Sequence, residues 1–185
     1  MKINYYKEDL KFSKKITIRK MMNHHYRKSK YFSSTYGSIL KITPIQGKTL
    51  QIKGVDLIID FENGRRIYID EKVRRKWVKY KDILLEEYHD YDKKIPGWLK
   101  EGQLTDYVIY VKLSTRKVYI LPFKILLLVW KENYENWWRQ YGRVLAKNKW
   151  YTPKRYRTSC IPIPPDILLN KINDKKIELR IKNEI

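Results

Sequence analysis

The stretch from Gly54 to Val73 reads GVDLIIDFENGRRIYIDEKV, and its register decides the fold. Thr49 to Phe61 (TLQIKGVDLIIDF) and Arg66 to Val73 (RIYIDEKV) are both rich in β-branched residues. Asn63-Gly64 between them is a turn dipeptide, so the stretch is predicted to be a β-hairpin. Side chains alternate between faces along a strand. Asp70 and Lys72 therefore share one face and Glu71 takes the other. Where Asp56 falls depends on the loop. If Asn63-Gly64 alone turns the chain, Asp56 lies opposite Glu71, and Leu57 and Ile59 face Asp70 and Tyr68. If Glu62 to Gly64 form a three-residue loop with Gly64 in a left-handed bulge, Asp56 lies opposite Asp70. Leu57 then pairs with Ile69 and Ile59 with Ile67. A matched apolar face fixes register strongly, which selects the second arrangement. It gathers Asp56, Asp70 and Lys72 on one face beside Gly54.

Two carboxylates a few ångströms apart repel, and their proton affinity rises unless a cation lies between them. Magnesium suits hard oxygen ligands and uses few carboxylates and several waters. A lysine beside such a cation can orient or help deprotonate a water and stabilise a pentavalent phosphate. The implied chemistry is metal-assisted hydrolysis of a phosphodiester. A plainer reading of the same residues is that Asp56, Asp60 and Asp70 balance Arg65, Arg66 and Lys72 across an exposed sheet.

These residues resemble the PD-(D/E)XK nuclease superfamily, whose signature is an acid on one strand and acid-x-lysine on its neighbour. Asp56 matches the first acid and Asp70-Glu71-Lys72 the second motif. The resemblance implies a restriction-endonuclease-like α/β fold, with a mixed, mostly antiparallel sheet flanked by helices. It implies Asp56, Asp70, Lys72 and a further acid as catalytic residues. Glu86 in LLEEY is chosen for that acid, with Glu87 as the neighbour it is confused with. It also implies a metal held by Asp56, Asp70 and the backbone carbonyl of Glu71, magnesium first and manganese as the alternative. YIDEKV, LLEE, GWL, TDYVIYV and RTSCIPIP are similar to small phage and bacterial members of unassigned role, over residues 49 to 165. The residue before Asp56 is Val55, where many members have proline. Many members cut two strands as dimers, so a homodimer is left open.

The rest of the chain fits a polyanion partner. Its 185 residues carry 41 Lys and Arg against 20 acids, a formal charge of +21. Such a charge repels itself unless a polyanion neutralises it, and nucleic acid is the usual one. DNA is expected ahead of RNA, with contacts from Arg65, Arg66, Arg74, Arg75, Lys76, Lys154, Arg155 and Arg157. Aromatics interleave with these cations at Tyr26, Tyr31, Trp77, Tyr80, Trp150, Tyr151 and Tyr156, either to stack bases or to anchor the fold. The 43% hydrophobic content is enough for a core and too rich for a disordered basic tail. The longest strongly apolar run, Ile125 to Trp130, is too short to span a bilayer. Lys11 to Lys30 has no clean apolar stripe, so a membrane-surface role ranks behind nucleic acid. Cys160 is the single cysteine, which excludes an internal disulfide and a Cys/His zinc cluster. His24-His25 reads as part of a solvated basic helix. With no apolar leader at the N-terminus, a cytoplasmic setting is expected, in a bacterial or phage-infected cell.

One domain over residues 1–185 is expected, with a basic helical segment over about 1–36. Residues 38–47 read as a loop or short strand and Ile83 to Tyr88 as a third strand. Thr105 to Leu113 with Lys117 to Pro122 form a second hairpin. Phe123 to Lys147 reads as the longest helix and 148–165 as a basic loop. Asp166 to Ile172 is a short helix and Ile177 to Ile181 a terminal strand. Two readings compete with the nuclease: a non-catalytic basic nucleic-acid-binding protein on the same fold, and an interaction protein that docks on an acidic partner.

Overall fold

A computed structural model describes residues 16–74, 82–113, 115, 117–148 and 156–183. It is a mixed α/β structure with a mostly antiparallel five-stranded sheet, a second, four-stranded sheet, and helices. Contacts divide the chain into two compact units.

The first unit comprises residues 1–78 and 104–121. Its described part begins with α1 (Ile16–Lys28) and α2 (Lys30–Tyr36). Ser29 separates the two helices and caps the second, its Oγ accepting from the Phe32 N–H. There follow β1 (Ile39–Pro44), α3 (Lys48–Ile52), β2 (Leu57–Phe61) and β3 (Arg66–Arg74). After the second unit's first segment the chain returns as β6 (Tyr107–Lys112) and β7 (Lys117–Pro122). The sheet order is β1-β2-β3-β6-β7. The β1-β2-β3 meander is antiparallel, whereas β3 and β6 run parallel, with Asp70 opposite Val108 and Lys72 opposite Tyr110. One face is dry. Leu57, Ile59, Phe61, Ile67, Ile69, Ile109 and Val111 pack there with Met22, Tyr26 and Phe32 from the helices.

The predicted hairpin register is the observed one. Leu57 pairs with Ile69 and Ile59 with Ile67. The Phe61 N–H bonds the Arg65 carbonyl, leaving Glu62 to Gly64 as the loop, and Gly64 has φ +79°. The first strand is shorter than expected. Thr49 to Ile52 belong to α3, and Gly54 at φ +76° ends that helical turn before β2 begins. Glycine holds this left-handed conformation at little cost.

The second unit comprises residues 79–103 and 122–185. It contains β4 (Ile83–Asp90), β5 (Ile95–Pro96), α4 (Phe123–Tyr141), β8 (Val144–Asn148), β9 (Tyr156–Ile163) and α5 (Pro165–Asn183). Its sheet order is β5-β4-β9-β8, antiparallel throughout. Ile83, Leu85, Ile161 and Ile163 are buried, as are Leu126, Val129, Trp130 and Trp137 of α4 and Leu168 and Ile172 of α5.

Three expectations fail in this unit. The long helix stops at Tyr141 because Gly142 takes φ +69°, and the chain becomes β8. Residues 156–163, expected in a loop, form β9, paired with β4 and over 156–160 also with β8, so Pro162 sits in a strand beyond the end of β8. The predicted terminal strand Ile177 to Ile181 lies inside α5. Its alternating Ile-x-Leu-x-Ile has the strand period, but good helix formers with Lys175 bridging to Glu178 and Glu132 favour the helix, which leaves Ile177 exposed.

Gly97 carries a local test. A Cβ there would lie 2.3 Å from the Glu86 carbonyl oxygen, which is backbone and cannot step aside. Gly97→Ala is expected to lower stability by about 1–3 kcal/mol, read from urea unfolding. A variant as stable as the parent would mean that β4 and β5 separate without cost.

Candidate functional site

The site begins at the hairpin. Asp56 immediately precedes β2, and its N–H donates to the Ile69 carbonyl. Its Oδ2 accepts the Glu71 N–H at 2.9 Å. That bond holds the Asp56 carboxylate against the middle of β3. Asp70 is 4% exposed, and the Lys72 ammonium donates to its Oδ1 at 2.7 Å. Asp56 is close enough to Asp70 to raise its proton affinity both by charge and by a side-chain hydrogen bond. The three predicted side chains therefore converge.

Burial decides the electrostatics. Asp70 lies between the Asp56 side of the hairpin and the parallel strand β6, whose Val108 is its cross-strand partner and fully buried. Loss of water raises the Asp70 carboxyl, Lys72 lowers it and Asp56 raises it further, with a net result of about 7. The Lys72 side chain is 31% exposed, so it joins the buried acid to solvent. Glu71 points to the opposite, helix-covered face, where the Tyr26 hydroxyl donates to its Oε1 at 2.7 Å. Only the backbone of Glu71 is left to serve the Asp56–Asp70 face.

The sheet also brings in residues that the sequence reading passed over. Tyr110 and Lys112 follow Val108 on the same face of β6, opposite Lys72 and Arg74, and both are buried. Lys112 is in phase with Val108 and Tyr110 in YVIYVK, but nothing in the sequence shows that β6 runs beside β3. Asp106 stands just before β6. It accepts the Tyr68 N–H through Oδ2 and returns its own N–H to the Tyr68 carbonyl, opening the parallel pair.

The other predicted residues are dispersed. Glu86 and Glu87 lie on β4, in the second unit. Glu86 is half-buried beside His89, 3.8 Å from its Nδ1. Glu87 is committed elsewhere. Arg143 grips it through Nε and Nη2 at 2.7 Å each, Ser159 donates at 2.7 Å, and Tyr134 donates to Oε1. Arg65 and Arg66 are exposed at the hairpin loop, and Arg66 pairs with Asp60 at 2.6 Å, as the charge-balance reading expects. Arg74 ends β3. Arg157 starts β9 and pairs with Asp92. Arg75, Lys76, Lys154 and Arg155 lie outside the described residues. So do residues 1–15 and Trp77, Tyr80, Trp150 and Tyr151. His24 and His25 are exposed on α1, and Cys160 is a buried free thiol. Tyr26 is a core residue.

Among the described residues no cluster of three or more His, Cys, Asp or Glu side chains stands ready for a metal. The donor set at the hairpin is nevertheless of the kind a small hard cation uses, with two adjoining carboxylates and backbone oxygen, water completing the shell. Among the described residues no helix is long and apolar enough to cross a membrane. No family model matches the chain, and neither the curated proteins nor the solved structures include a match.

Proposed function

We propose that the chain is a magnesium-dependent nuclease of the restriction-endonuclease-like kind, hydrolysing phosphodiester bonds of nucleic acid, DNA ahead of RNA. The convergence of Asp56, Asp70 and Lys72 on one face of a hairpin carries this reading. Asp56 and Asp70, with the Glu71 carbonyl, would hold the cation. When bound, magnesium would neutralise charge on the scissile phosphate. The Lys72 ammonium, the solvent-reaching member, would orient the attacking water and stabilise charge on the phosphate oxygens. A homodimer is part of the same proposal.

The test is cleavage of plasmid and oligonucleotides in magnesium by the parent and by Lys72→Ala. Loss of cutting in the variant is expected, and equal cutting would remove Lys72 from the mechanism. A second reading, a non-catalytic nucleic-acid-binding protein, draws on the burial of Asp70 and its bond to Lys72. Magnesium titration by calorimetry separates the two. Because the Asp70 carboxyl titrates at about 7, the cation must displace a proton below that pH. Affinity should rise about tenfold per pH unit from pH 5.5 towards 7 and then level off. Asp56→Asn should weaken it sharply. Absence of any magnesium heat at pH 8 would favour the second reading.

A further inference from the structure

We infer that the turn after β4, together with the end of α4 and the start of β9, forms a binding site for an unpaired nucleic-acid strand. Lys94 is the one non-glycine residue with positive φ among the described residues, at φ +54°. An L-residue is disfavoured there and glycine is not, and such outliers cluster where function holds them. Here the backbone sets the Lys94 ammonium over two rings, 4.0 Å from the Tyr91 centroid and 4.9 Å from that of Tyr88. Arg157 lies 5.2 Å from the same Tyr91 ring. Arg143 lies 4.4 Å over Trp138 and 5.8 Å from Tyr91.

Two of these cations are fixed in place, Arg143 by Glu87 and Arg157 by Asp92. Lys94 is exposed, Tyr88 and Tyr91 are half-buried, and Trp138 remains 40% exposed. Cations laid against partly exposed rings suit a ligand that offers phosphates and free base faces together. In a duplex the bases stack on one another, whereas an unpaired strand presents them to aromatic side chains. The ligand class is therefore single-stranded nucleic acid.

This inference rests on the nucleic-acid half of the proposed function and is independent of its catalytic half. The experiment measures binding of the full chain to a labelled oligothymidine and to a duplex of equal length, in EDTA, across a salt series. Lys94→Gly removes the ammonium while relieving the backbone, so its melting temperature should hold or rise. Its affinity for the single strand should fall about tenfold at low salt. The slope of log affinity against log salt should shrink by about 0.7. Lys94→Arg should keep the affinity, and Trp138→Ala should lose about tenfold for the single strand with a smaller loss for the duplex. The inference is overturned if Lys94→Gly binds the single strand like the parent, or if single strand and duplex lose equally. It is also overturned if the variant changes only binding to anionic phosphatidylserine vesicles. Failure of the parent to bind any oligonucleotide would instead sink the nucleic-acid reading itself.

Discussion

Asp70→Asn is expected to abolish magnesium-dependent cleavage while making the protein more stable at alkaline pH. Asparagine copies the shape of a protonated aspartic acid and can still accept from Lys72, but it cannot neutralise a cation. Loss of cleavage should exceed about a hundredfold, the scale of removing one strong electrostatic contact at a reacting centre. The stability gain follows from proton linkage. Burial, opposed by Lys72 and reinforced by Asp56, raises the carboxyl from 3.8 to about 7. Between those values the folded chain holds a proton that the unfolded chain has released. Folding stability therefore declines as pH rises through that window, and above it the cost is complete. At roughly 1.4 kcal/mol for each tenfold in proton affinity, the cost is on the order of 4 kcal/mol. The variant should melt several degrees above the parent at pH 8 and close to it at pH 4.5, both in EDTA. Magnesium should raise the melting temperature of the parent at pH 8 and leave the variant unmoved. A variant that melts below the parent at pH 8 would show that Lys72 already offsets the burial of Asp70. One that still cuts would dismiss Asp70 as a ligand.

Glu87→Ala should cost the second unit heavily, and for a different reason. Burial by itself would raise the Glu87 carboxyl, but hydrogen bonds from Arg143, Tyr134 and Ser159 outweigh it and the net shift is downward. The Glu87 side chain is 4% exposed and Ser159 is fully buried. Truncation strands a guanidinium and two hydroxyls around a void. Removing one partner of a buried pair costs about 3–5 kcal/mol. The lower end is expected here because the Arg143 side chain is 22% exposed and water can reach it. Urea unfolding at pH 7 measures this, and a loss under about 1 kcal/mol would contradict the buried-pair account. The same depressed carboxyl gives stability that is present at neutral pH and lost in acid, as the pH falls through its lowered titration. Glu86→Ala, at a half-buried position beside His89, should be mild in stability.

The neighbouring glutamates illustrate what was legible and what was not. The expectation of a catalytic acid among them comes only through resemblance. That Glu87 is tied to Arg143 depends on a partner 56 positions away, brought close by helix and strand packing that no local pattern encodes. The same holds for β9. Its IPIP run reads as a loop because prolines interrupt a strand, yet Ile161 to Ile163 pair with β4, and Pro162 falls where β8 no longer asks for a donor. The Ile177 to Ile181 segment misleads in the opposite sense, since its alternation has the strand period while its helix-forming neighbours carry it into α5 and leave Ile177 exposed.

Local chemistry by itself determined the hairpin. A three-residue loop ending in a left-handed glycine, and the need to put Leu57 and Ile59 against Ile69 and Ile67, leave one register and so place Asp56, Asp70 and Lys72 on a common face. Tertiary structure decided how that face behaves. The parallel approach of β6 comes after a 32-residue excursion, from Arg74 to Tyr107, and sets Val108 beside Asp70. The loss of water there turns an ordinary aspartate into one that titrates near neutrality. Sequence fixes which groups neighbour one another along and across adjacent strands, while the dielectric around them depends on what the distant chain brings to cover them.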